Sequence, residues 1–205
     1  MHAKTIHKLW RLLLLPLLLL AATGCEEEEE AYVQQQQRMV SYLTSTHTPR
    51  LVAENELEEE SQLPFYEALG NGIYRYLPGY YNPDRTNWPV VTAASRVTLT
   101  FRFYAFNFAN ITDSTVPFYT NDPRYERALY EQLGLTPGVW IFEPVTLDLA
   151  NDRILKGLRR ALIGCREGDE VEAYMTYNEA YGSDYFSILP QESPVAMFLT
   201  ISNVE

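Results

Sequence analysis

Four stretches of this chain alternate apolar and polar residues with a period of two, and that pattern admits few folds. Val97, Leu99, Phe101 and Phe103 alternate with Thr98, Thr100 and Arg102. Val145 to Leu149 repeats the pattern, as do Val171, Ala173, Met175 and Tyr177, and then Val195, Met197, Leu199 and Ile201. Successive side chains of a strand point to opposite faces, so each stretch offers one apolar face to a core. Between the second and third stretches the period changes. Ile154, Leu158 and Leu162 recur every four residues with Leu155 beside them, the spacing of one helix face, and Asn151 or Asp152 stands where a helix cap belongs. Gly164 and Gly168 close this segment. Several strands gathered on one short helix predict an α+β domain built on an antiparallel sheet.

The flanking segments extend that plan. Gly70-Asn71-Gly72 marks a turn, and the aromatic run from Ile73 to Tyr81 reads as a strand. Asn82 to Asn87, with Pro83 and Asp84, is a turn cluster. Asn110 to Val116 reads as a loop, and Pro123 to Leu133 as a short helix stopped by Gly134. Upstream, Ala31 to Thr46 carries Val33, Met39, Val40 and Leu43 as a thin apolar stripe and is predicted to be a helix. The stripe is too thin for a dimer seam, so a monomer is expected. Thr48 to Gln62 is polar and acidic and reads as a linker.

The first residues read as an export signal. Lys4, Lys8 and Arg11 make a basic start, and Leu12 to Ala22 is an apolar run, too short to span a bilayer. It ends in Ala22-Thr23-Gly24-Cys25, which resembles the lipobox of bacterial lipoproteins. That resemblance implies cleavage before Cys25, lipidation of its thiol and a place in the bacterial outer membrane, periplasmic or surface-exposed. Glu26 to Glu30 is a block of like charges that stays extended, and it resembles the export tags of surface lipoproteins. The expected organisation is a signal peptide at 1–24, an acidic tether and N-terminal helix at 25–69, and the sheet domain at 70–205.

Composition removes much chemistry. The net charge of −11 becomes more negative when the signal leaves, so there is no basic footprint for nucleic acid, and the membrane is reached only through acyl chains. With Cys25 lipidated, Cys165 stands alone in an apolar helical pattern and reads as a buried structural thiol. His47 is the one histidine beyond the signal, in a polar stretch, and Lys156 the one lysine. No His-based metal site, catalytic triad or cofactor is implied. Carboxylate chemistry, or catalysis without proton transfer, remains. Fifteen tyrosines and many acids allow a third reading, carbohydrate binding or processing. Glu126, Glu131, Asp148 and Glu172 are candidates for it only by being acidic.

One family fits the order of motifs. Pro144-Val145-Thr146-Leu147-Asp148-Leu149 is followed by Arg153-Ile154-Leu155-Lys156-Gly157-Leu158 and by Gly164-Cys165-Arg166-Glu167-Gly168-Asp169-Glu170-Val171. Then come Ala180-Tyr181-Gly182, Leu189-Pro190 and the strand from Val195 to Ile201. This succession resembles the FK506-binding-protein-type (FKBP) peptidyl-prolyl isomerases. Pro117-Phe118-Tyr119-Thr120-Asn121 resembles the family's Phe-Asp-(Ser/Thr)-Ser segment, and Val97 to Phe103 its first long strand. The resemblance implies a strongly bent antiparallel sheet wrapped on one short helix. It also implies isomerisation of X–Pro bonds in proline-containing polypeptide segments, or a non-catalytic binding module of the same shape.

The site residues are carried over from the resemblance. Phe118, Val145, Leu155 and Tyr181 stand where the family lines its proline pocket. Leu155 would offer its backbone N–H and Tyr181 its hydroxyl to substrate carbonyls. Phe101, or Phe103 in a register two residues on, stands at a pocket Tyr, Leu189 at the Ile before the Pro pair, and Met197 at an aromatic. Ile154 accompanies Leu155. Leu158 stands at the pocket floor, where the family usually has Trp. Tyr119 replaces an Asp, and Val145 a Phe. Residues 119–143 form an insertion carrying Tyr125, Tyr130, Trp140 and Phe142, which either rebuilds a pocket wall or fills the pocket. The loop from Asn178 to Pro190 is the expected lid, with Tyr185 and Phe186 as its flap.

Overall fold

A computed structural model describes residues 30–136, 138, 140–184 and 188–205. The signal segment, Cys25, Glu26 to Glu29, and Tyr185 and Phe186 of the lid lie outside the described residues.

The two longest strands form the spine. Strand β4 (Arg96–Ala105) pairs antiparallel with β8 (Val195–Val204) from Val97↔Val204 to Ala105↔Val195. Beyond β8 the sheet continues through β7 (Glu170–Met175), β3 (Ile73–Tyr76), β2 (Phe65–Ala68) and β1 (Val52–Ala53). The other edge of β4 carries two short partners, β5 (Tyr119–Thr120) and β6 (Val145–Asp148). The four alternating stretches are β4, β6, β7 and β8. All neighbours run antiparallel except β1 and β2, which are parallel. The molecule is an α+β domain with an N-terminal helix.

The sheet starts earlier than the turn at residue 70. The stretch read as a linker buries Leu51 and supplies β1, whose Val52 N–H donates to Pro64 O at 3.1 Å. The β2–β3 hairpin crosses Gly70.

Both faces of the sheet are covered. Helix α3 (Lys156–Leu162) packs Leu158, Ala161 and Leu162 on the face made by Val97, Leu99, Phe101, Phe103, Val171, Ala173, Met197 and Leu199. The opposite face is covered by helix α1, described over residues 30–41, and by the π-helical turn Tyr42–Thr46 that continues it. There Met39 and Leu43 pack with Tyr42, Tyr66, Tyr74, Tyr76, Tyr104 and Tyr174. Six of the fifteen tyrosines thus build a second core. Tyrosine suits this layer because it buries a large ring while its hydroxyl reaches a polar partner.

Helix α3 begins later than its sequence cap suggests. Asp148 accepts the amides of Ala150 at 3.0 Å and Asn151 at 3.1 Å, and Asp152 accepts that of Asp148 at 2.8 Å. These bonds wind residues 148–152 into a turn, so neither Asn151 nor Asp152 caps the helix, and Leu155 stands at its N-terminus without a side-chain cap. Close seating of α3 depends on Gly157. A Cβ there would lie 2.5 Å from Met175 Sδ and 2.6 Å from Glu179 O. The other end is held by buried Arg75, which donates to Ala161 O at 2.9 Å and Ile163 O at 2.7 Å. Its charge is met by Glu67 opposite on β2, at 2.5 and 2.9 Å. Cys165 lies beside this bridge, fully buried, and burial pushes its thiol up to about 12. It is a structural thiol.

The expected helix from Pro123 is a short 3-10 turn leading into α2 (Glu126–Leu133), and Gly134 ends it in the left-handed region at φ 62°.

Candidate functional site

Between β4, β6 and the N-terminus of α3 lies a cavity of about 250 Å³. Phe101 and Phe103 both face it, with rings 4.8 Å apart, because residues two apart on a strand share a face. The two candidate registers therefore name two walls of one cavity. Val145 enters from β6, Ile154 and Leu155 from the approach to α3, and Leu158 from α3 itself. Tyr119 and Tyr181 complete the walls. Burial pushes the Tyr181 hydroxyl well above its ordinary range, so it is a neutral donor throughout physiological pH.

Three predicted residues stand elsewhere. Phe118 is buried behind Tyr181, edge-on with ring centroids 5.9 Å apart, and supports that ring instead of lining the cavity. Leu189 and Met197 are buried in the core that carries the cavity and do not reach its wall. Conversely, Leu99, Leu147 and Arg153 line the cavity and were not singled out from the sequence. The signal for the two leucines was present, since Leu99 shares the alternating face of Phe101, and Leu147 that of Val145.

The two ends of the loop expected to be the lid are joined by a small hydrogen-bond network. Gly182, at φ 61°, donates to Tyr177 O at 2.8 Å and accepts from Glu192 N at 3.1 Å. Gln35 of α1 joins both feet. Its Oε1 accepts from Tyr177 N at 3.1 Å, and its Nε2 donates to Glu192 O at 2.9 Å. Sequence reasoning missed this residue, because one glutamine among four in a row carries no signal.

Among the described residues of the insertion, Tyr119 lines the cavity and Trp140 backs it. Trp140 packs edge-on against Tyr119, ring centroids 5.1 Å apart, and its Nε1 donates to Thr120 O at 2.7 Å. Tyr130 instead meets Phe142 at 5.8 Å, and Tyr125 is buried near Tyr104. On the far side of Tyr119 lies a second, more open cavity of about 540 Å³, which shares Phe101, Tyr119 and Val145 with the first.

Asn121 joins the feet of the insertion to the sheet. It fills the gap on β4 between the stretch paired with β5 and the stretch paired with β6. Its Oδ1 accepts from Phe101 N at 2.7 Å, and its Nδ2 donates to Leu99 O at 3.1 Å and Glu143 O at 2.8 Å. The side chain stands in for a missing strand residue. The neighbouring Asp122 is buried, which alone would raise its pKa, but hydrogen bonds from Arg124 outweigh burial and hold it below the usual range.

The acidic candidates do not converge. Glu172 lies on the tyrosine-lined face, bound to His47 and Tyr174. Glu131 pairs with Arg127, Glu126 accepts from Tyr130, and Asp148 holds its turn. Among the described residues no cluster of three or more His, Cys, Asp or Glu could hold a metal ion.

No protein-family model and no curated protein matches the chain. Among solved structures it is similar to the N-terminal domain of FKBP42 from Arabidopsis thaliana, at 14% identity and a TM-score of 0.47, over 73% of this chain and 96% of that one. It is similar to the three FKBP domains of wheat FKBP73, at 13% identity and a TM-score of 0.45, over 66% of this chain and about half (47%) of that one. It is similar to FkpA from Escherichia coli, at 10% identity and a TM-score of 0.48, over 100% of this chain and 74% of that one.

Proposed function

We propose that the domain binds proline-containing segments of polypeptide in the 250 Å³ cavity and isomerises their X–Pro bonds. One observation carries this reading: an apolar cavity walled by Phe101, Phe103 and Leu155, floored by Leu158, with the neutral hydroxyl of Tyr181 beside it. An amide rotates over a barrier of about 18–20 kcal/mol, and half-way round it loses its resonance. The twisted amide is less polar than the planar one, so an apolar cavity that excludes water favours it. No nucleophile, base or cofactor takes part.

The same geometry favours a second reading, a binding module without turnover. Leu158 gives the floor no aromatic face, and Tyr119 gives the rim an apolar ring with its hydroxyl pushed up by burial, where an acid would act as a polar handle. The two readings separate in one experiment, the exchange rate of an X–Pro peptide measured by NMR with and without the domain. Acceleration supports the isomerase. Binding without acceleration leaves the module, and no binding ends both. If the floor limits turnover, Leu158→Trp raises the rate, and an unchanged rate refutes that placement.

For the chain's location we propose a lipoprotein anchored through Cys25 in the bacterial outer membrane, with the domain acting as a folding helper on its periplasmic or outer face. The lipobox-like sequence before Cys25 supports it. A palmitate analogue should label the wild type and not Cys25→Ala; label in the variant ends the proposal.

A further inference from the structure

We infer that the 540 Å³ groove beyond Tyr119 is a second subsite, and that it takes a lysine or arginine side chain of the polypeptide whose proline occupies the first cavity. This rests on the proline-binding reading. The two cavities share the walls Phe101, Tyr119 and Val145, so a chain leaving one passes directly into the other.

The lining selects the occupant. Trp140 and Tyr119 offer aromatic surface, and Pro144 and Val145 offer apolar surface. A long aliphatic stem lies well on such walls, and an indole is the best aromatic face for a cation. The polar groups of the lining are mostly engaged within the protein. Trp140 Nε1 is bound to Thr120 O, both ends of Asn121 bridge the sheet, and Thr146 Oγ1 meets Thr98 Oγ1 at 2.8 Å. Glu143 is the one charged residue among the described lining residues; it is exposed, and none of the described ion pairs uses it. A groove with aromatic walls, one carboxylate and no cation fits a basic side chain. The acidic chain, at −11, favours approach of a basic segment as well.

The test uses X–Pro peptides that carry Lys, Arg, norleucine or Ala on either side of the proline, titrated into the domain at low and at moderate salt. From the size of cation–π contacts, the Lys and Arg peptides should bind about five- to tenfold tighter than the Ala peptide. The preference should shrink with salt. Trp140→Ala should abolish the preference of the Lys and Arg peptides over the Ala peptide. Glu143→Gln, an exposed change that leaves the fold alone, should reduce it and remove its salt dependence, which keeps the test valid if Trp140→Ala loosens the insertion. Norleucine binding as tightly as Lys overturns the choice of a cation. Equal affinity for all four peptides overturns the subsite while leaving the proline cavity standing. Failure of every peptide to bind removes the proline reading, and this inference with it.

Discussion

Single residues decide how this site is held. Asn121 accepts from the buried Phe101 N–H and donates to two carbonyls, Leu99 O and Glu143 O. Truncation strands a buried donor, which costs about 1–3 kcal/mol, beyond the lost bonds to the carbonyls. Asn121→Ala should therefore lower stability by about 2–3 kcal/mol in urea unfolding; a loss below about 0.5 kcal/mol, within the ordinary surface range, would show that the side chain does not complete the sheet. Phe101, Val145 and Leu158 were named through the resemblance, and periodicity adds the physical reason they share one cavity. The resemblance failed for Phe118, where the motif named the segment and the ring packs one layer behind. Asn121 was invisible because its partners are backbone groups far along the chain, and no local pattern records them.

Elements depend on a few cross-links between them. Helix α3 is only seven residues long, too short to persist without its neighbours. Arg75 binds the carbonyls of its last turn from β3, with Glu67 balancing the charge. Removing one partner of a buried pair leaves the other uncompensated, so Arg75→Leu should cost about 3–5 kcal/mol, read from thermal or urea unfolding; a neutral substitution would refute the tie. The ends of the loop after Tyr177 depend likewise on α1. Gln35→Ala removes the acceptor for Tyr177 N–H, so hydrogen exchange at that amide should speed up while amides in β4 and β8 keep their protection. Unchanged exchange at Tyr177 would show that α1 does not hold this loop. The strands were legible as elements because alternation marks one apolar face. The second core was not, since its tyrosines and Glu172 occupy the positions that alternation assigns to solvent. The start of α3 was misplaced because the side chains that would cap it are turned back to Asp148: Asn151 Nδ2 donates to its carboxylate and Asp152 Oδ2 accepts from its amide.

At the scale of the whole molecule, the chain is a sheet held between two helical layers, and only the layer under α1 holds a histidine among the described residues. That residue is His47. Burial alone would lower its pKa, but Nε2 lies 2.9 Å from Glu172 Oε2 and Nδ1 2.5 Å from Pro49 O, and these contacts raise it above 6.5. Tyr42, Tyr76 and Tyr174 surround the ring. A raised folded-state pKa gives stability that is fully present below about pH 6.5 and is lost as pH rises through the folded value. The unfolding midpoint should therefore fall between about pH 6 and pH 8, and His47→Gln should flatten that slope; an unaltered slope in the variant would place the titration elsewhere. The face bearing the cavity holds no histidine, so binding at Tyr181 should stay level over the same range.

The splice at Asn121 has an evolutionary consequence. Its amide fastens both feet of the insertion to the sheet, 22 residues apart along the chain, so strand register does not depend on what lies between them. Doubling such a span adds only about 0.6 kcal/mol of closure entropy. Descendants of this domain can thus exchange the segment as a cassette, trading one neighbour of the 250 Å³ cavity for another while the scaffold underneath stays unchanged.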